Sequence, residues 1–102
     1  METIPIIKTE IPYRFDITLG AEVFEMEIRY NQQHNFFTVD LFKDGEVLVY
    51  GEKLTYGQPL FSEVRDDRFP IMELVPMDEA GRENRVTWEN LEKTVFLAVV
   101  NP

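Results

Sequence analysis

Residues 36–61 read FFTVDLFKDGEVLVYGEKLTYGQPLF, and this stretch decides the fold. Asp44-Gly45 separates two runs of β-branched and aromatic residues, the strongest short-range signal for a β-hairpin. In the first run Phe37, Val39 and Leu41 alternate with Phe36 and Phe42, so both faces are rather apolar, as in a central strand or one buried on two sides. Tyr-Gly occurs at Tyr50-Gly51 and returns at Tyr56-Gly57. Glycines within or at the end of strands mark bulges, bends or close backbone approach. Strands are therefore expected over about 36–43 and 46–52, with 53–58 continuing as a bent or bulged strand into Gln58-Pro59.

Upstream, Ile11, Tyr13, Phe15, Ile17 and Leu19 alternate with Pro12, Arg14, Asp16 and Thr18, a period of two. Gly20-Ala21 makes a turn. Phe24, Met26, Ile28 and Tyr30 then alternate with Glu25, Glu27 and Arg29, so a second strand folds back on the first with one apolar and one charged face. A register slip of one residue would bury Glu25 and Glu27 unpaired, which is costly. The expected core joins Tyr13, Phe15, Ile17, Phe24, Met26, Ile28, Val39 and Leu41. Asn31 to Asn35 is a polar loop.

Downstream, the charged run Glu63 to Arg68 is expected as a loop. Ile71 to Val75 reads as a short strand bounded by Pro70 and Pro76, and Met77 to Arg85 as a polar loop around Gly81. Val86-Thr87-Trp88 is expected as a strand end followed by a tight turn or one helical turn at Glu89–Glu92. Thr94 to Val100 is a final strand with apolar side chains on both faces. Such a strand must be central or covered by another chain, because bare apolar edges aggregate. No segment sustains an apolar period of 3.6 residues. The expectation is an all-β, antiparallel meander of seven or eight strands in a single domain over 1–102, closed as a barrel or folded as a sandwich.

The chain has 102 residues, 44% hydrophobic, with eight Phe, four Tyr and one Trp. A domain of this size hides roughly 65% of the surface of its unfolded chain, enough for a core without covalent staples. Cysteine is absent, which removes disulfides, thiolate metal sites and cysteine nucleophiles. Ten Lys+Arg against nineteen Asp+Glu give a net charge of −9. That field repels phosphate backbones and anionic membranes, so neither nucleic acid nor membrane is expected as a partner. The N-terminal residues lack the basic leader and apolar run of a signal peptide, and no window reaches the roughly 20 apolar residues of a spanning helix.

Candidate chemistry is sparse. His34 is the one histidine and sits in a polar loop, a poor metal site without further ligands. Asp66-Asp67 and Asp78-Glu79 lack the spacing that wraps oxygen ligands around Ca²⁺. Ser62 is the one serine and no neighbour in sequence activates it. Phosphate loops, dinucleotide fingerprints and the G-x-S-x-G elbow are missing. No enzyme activity, metal or cofactor is expected.

Three segments carry a family resemblance. These are Tyr50-Gly51-Glu52-Lys53-Leu54, Tyr56-Gly57-Gln58-Pro59-Leu60, and Val86-Thr87-Trp88-Glu89-Asn90-Leu91 through Val95-Phe96-Leu97. Together with Ile11-Pro12-Tyr13-Arg14-Phe15 and Glu27-Ile28-Arg29-Tyr30-Asn31, they resemble the phage baseplate plug family of contractile-tailed phages and prophages. The resemblance spans nearly the whole chain. It implies a structural tail protein near the hub at the distal end of the tail tube, in the virion or in the host cytoplasm during assembly. It implies other baseplate, hub or tube proteins as partners, assembly of several copies about the tail axis, and no catalytic residues. Where this chain has Glu92-Lys93, relatives are expected to carry a glycine. The alternative function is a small β module binding a protein, peptide or carbohydrate outside a tail, and exposed coplanar aromatics in a groove would speak for the carbohydrate. Interface centres are rich in aromatics and poor in charge, which makes Tyr50, Tyr56, Pro59, Phe61, Trp88, Phe96 and Val99 the candidate partner contacts. Trp88 is also a candidate core anchor.

Overall fold

The computed structural model describes residues 1–62 and 67–101. Among these, seven strands form two antiparallel sheets. The four-stranded sheet is a meander of β2 (Tyr13–Leu19), β3 (Glu22–Asn31), β4 (Phe36–Lys43) and β5 (Glu46–Lys53). The three-stranded sheet runs β1 (Thr3–Ile4), β7 (Phe96–Val100) and β6 (Glu73–Met77), in that spatial order. The sheets share one apolar core and do not close into a barrel, so the sandwich alternative holds.

The period-two pattern sets the register. Phe15 lies opposite Met26, Met26 opposite Leu41, and Ile28 opposite Val39, so the apolar face of each strand stacks on the next. Phe24, Met26, Ile28, Phe37, Val39 and Leu41 are fully buried, and Tyr13, Phe15 and Ile17 pack half-buried against them. Each full burial of such a side chain contributes about 1.5–3 kcal/mol. The expected core is borne out.

Asp44 and Gly45, with φ of 52° and 78°, form the two-residue hairpin turn whose twist matches its strands. β4 is central, between β3 and β5, and its outward Phe36 and Phe42 are covered by Lys53 and by Arg14 with Tyr50. β7 is likewise central, between β1 and β6, so the apolar C-terminal strand has no bare edge.

Four expectations need correction. The chain leaves the sheet at Lys53, and 54–59 is not a strand. Instead Leu54 N–H bonds to the Phe37 carbonyl, then Gly57 and Leu60 N–H bond to the carbonyls of Pro76 and Leu74. This segment crosses between sheets and covers the outer edge of β6. Second, that strand begins at Glu73 and includes Pro76 rather than stopping before it. Pro76 is tolerated because its nitrogen faces the outer edge, where no ladder bond is lost. Third, Val86-Thr87-Trp88 is not a strand end; it opens a turn through Asn90. Fourth, the two-residue β1 was not anticipated, its pairing being with a strand at the far end of the chain. Of the charged run expected as a loop, Glu63–Asp66 lies outside the described residues, and Asp67-Arg68 is an exposed turn.

Candidate interaction site

The two Tyr-Gly pairs occupy different environments. On β5 the register slips twice, between the partners of Val39 and Leu41 and between those of Leu41 and Phe42. At the first slip Tyr50 and Gly51 together oppose Asp40, a β-bulge with Gly51 at φ 71°. Asp40 is buried at 3% exposure on the outer face of the sheet. Its Oδ1 accepts the Gly51 N–H at 2.8 Å, and its Oδ2 accepts from Arg29 Nε at 3.3 Å. Arg29 also pairs with Glu27, which accepts from Arg14 Nε at 3.2 Å. The charged face read from β3 is thus an ion-pair lattice, with a buried carboxylate locking the bulge. Counting by twos from Val47 would turn Tyr50 inward; the second slip, at Leu48, turns it outward, 70% exposed. Its ring stands edge-on to Phe42 at 6.2 Å.

Tyr56 has its ring half-buried against the core, and its hydroxyl accepts the Asp78 N–H at 3.2 Å. Gly57, at φ 73°, turns the chain onto β6. Asp78 organises the following loop: its carboxylate accepts the N–H groups of Ala80, Arg82 and Glu83 at 2.9–3.1 Å. The Arg82 N–H bond foremost, with those of Ala80 and Glu83, holds its carboxyl below the usual range against the opposing effect of burial.

The remaining candidates are scattered. Phe61 is only 7% exposed and packs against Phe69 with the rings tilted and their centres 5.5 Å apart. Pro59 lies beside it along a shallow cavity with Glu52 and Ser62. Trp88 packs half-buried on Tyr30 and Phe37, at 4.8 and 6.0 Å between ring centres, and so serves the core. Asn35 ties this corner together, its Oδ1 accepting from Tyr30 Oη and Trp88 N–H. Phe96 lines a cavity with Met1, Thr3 and Asp78, and Val99 packs half-buried on the core with its N–H on the Glu2 carbonyl. Among the described residues Tyr50 is the one exposed aromatic.

The turn at Glu92 takes φ 70°, the left-handed region that favours glycine, in keeping with the glycine expected there in relatives. Here the side chain has a use: Glu92 Oε1 accepts the Ile6 N–H at 2.6 Å, joining the N-terminal segment to the turn before β7. Burial pushes its carboxyl above the usual range, partly opposed by that bond and by Lys8. His34 is exposed with its ring 6.5 Å from that of Phe36. Among the described residues no three His, Asp or Glu side chains gather where they could hold a metal, and no helix is long and apolar enough to cross a membrane. Asp40, Asp78 and Asn35 were missed by sequence reasoning, which weighed Asp78 only as a calcium ligand. Their signal was positional: an acid opposite a Tyr-Gly bulge, and Asp and Asn at the mouths of loops.

The described residues form a small β-sandwich whose polar side chains lock a bulge and two loops. The chain belongs to the cyanophage baseplate Pam3 plug gp18 family, which matches residues 1–102, the full sequence. No curated protein matches it. It is accordingly a structural component of a phage baseplate, within the virion tail, and membership in that family implies contacts with other tail proteins.

Proposed function

We propose that this protein plugs the baseplate close to the hub, at the distal end of the tail tube, acting through contacts with hub or tube proteins and without catalytic turnover. The observation that carries this reading is the whole-chain family match, 1–102. Several copies would sit about the tail axis, as closed assemblies of tail proteins require. The net charge of −9 suits a component near passing DNA, since like charge keeps the phosphate backbone from sticking. A carbohydrate-binding role is disfavoured, because among the described residues Tyr50 is the one exposed Phe, Tyr or Trp and it stands edge-on to its neighbour.

The test is a gene deletion complemented by epitope-tagged protein, with antibody located on purified tails by electron microscopy. Label confined to the baseplate tip, and defective tails without the protein, are the expected results. Label along the tube or sheath, or normal infectious tails without the protein, would overturn the proposed position.

A further inference from the structure

One end of the outer face of the four-stranded sheet carries an apolar ridge. Phe42 lies opposite Val47 on β5 and opposite Glu25 on β3, and Tyr50 stands against its ring. Val23, two residues before Glu25, is the diagonal neighbour, within reach on the same face. Val23 is 56% exposed, Val47 41% and Tyr50 70%, while Phe42 between them is covered by Tyr50 and by the Arg14 guanidinium 3.9 Å above its ring. Val23, Val47 and Tyr50 are thus the exposed apolar side chains around Phe42, which is itself only 6% exposed.

Its surroundings are acidic. Asp16 and Glu25 lie opposite each other on this face, and Asp44 sits at the adjoining turn. Among the described residues none of the three has an ion-pair partner. The neighbouring cations are committed elsewhere, Arg14 to Glu27 and Phe42, and Lys43 to Glu22 at 2.5 Å. A second copy laid ridge to ridge about a two-fold axis would bring the same acids against themselves, and like charges across an interface are costly. A nucleic-acid strand would meet the same repulsion.

We propose that the Val23–Phe42–Val47–Tyr50 ridge docks a different tail protein, through a patch with an apolar centre flanked by Lys or Arg side chains that meet Asp16, Glu25 and Asp44. The inference rests on the baseplate reading and specifies its partner. Apolar anchors with complementary charge at the rim are the ordinary anatomy of such contacts.

The experiment introduces benzoylphenylalanine at Tyr50 in the full-length protein, complements the deleted gene, and irradiates purified tails before peptide mass spectrometry. Expected is a cross-link to another tail protein, on a segment with Lys or Arg within a few residues. In parallel, the double variant Asp16→Lys with Glu25→Lys, shown to melt like the parent, is expected to enter tails about tenfold less often, the loss typical of a disrupted interface anchor. Cross-links only to a second copy or to DNA, an acidic partner segment, or normal entry of the folded charge-reversed variant would overturn the proposal. So would protein present in tails with no cross-link at Tyr50. Unsubstituted parent protein absent from tails altogether would instead overturn the baseplate reading on which this one rests.

Discussion

Tyr50-Gly51 and Tyr56-Gly57 are the same dipeptide six residues apart, with glycine φ angles of 71° and 73°. One tyrosine stands in solvent on a bulge, while the other packs against the core and braces the Asp78 loop. The difference teaches that the glycines have one task, to turn the backbone where other residues strain. The tyrosines have two, set by what lies beneath them. Under Tyr50 is an edge strand pinned to Asp40; under Tyr56 is the joint between two sheets.

The largest effect is expected at the joint. Tyr56→Ala removes a ring packed on the core and the acceptor of the Asp78 N–H, and should cost about 2–3 kcal/mol. For a domain of this size that lowers Tm by roughly 10–20 °C, readable by calorimetry or circular dichroism. A loss as small as that of an exposed residue would erase the contrast between the two pairs.

Next in size is the pin under the bulge. Asp40→Ala strands the Gly51 N–H and should cost about 1–3 kcal/mol, while Asp40→Asn keeps an acceptor and should cost less. Denaturant midpoints would rank them. Equal losses would assign the effect to the Arg29 ion pair instead of the bulge.

Gly51→Ala and Gly57→Ala should each cost about 1–2 kcal/mol, the strain of a side chain in the left-handed region. Neither has an atom within 4 Å of an added Cβ, so the two costs should be similar. Unequal values would show that the glycines also serve different ends.

The smallest effect concerns Glu92, whose carboxyl is held above its usual range chiefly by burial. A raised acid contributes nothing below its ordinary value of 4.5 and destabilises increasingly as pH rises through its folded value. Glu92→Gln should therefore match the parent in acid and melt slightly higher at neutral pH. A constant difference across pH would contradict that account.

Much of this was legible beforehand, for reasons that are local. The alternation from Tyr13 to Tyr30 and the turn at Asp44-Gly45 are nearest-neighbour signals, and both strands and their register follow from them. What failed to read through was tertiary. Thr3–Ile4 becomes a strand only because the C-terminal β7 lies beside it. Pro76 enters a strand because its nitrogen faces away from the ladder, and 54–59 leaves one because it has a second sheet to reach. The seven candidate contacts all had the right residue types. That Tyr50 faces solvent depends on the extra residue at Leu48, while the others are set by packing against distant segments, and composition encodes neither.

The most direct test sets the two tyrosines against each other in assembled tails. Tyr50→Ala should fold with a loss of about 0.5 kcal/mol, as exposed substitutions do. Tyr56→Phe keeps the packed ring and loses only the hydroxyl. With both confirmed folded by their melting curves, quantitative mass spectrometry of purified tails measures how much of each is incorporated. The expected result is Tyr56→Phe at parental level and Tyr50→Ala reduced about tenfold, the loss of an interface anchor. Tyr50→Ala incorporated at parental level would contradict the assignment of the exposed Tyr-Gly bulge as the surface that holds this protein in the baseplate.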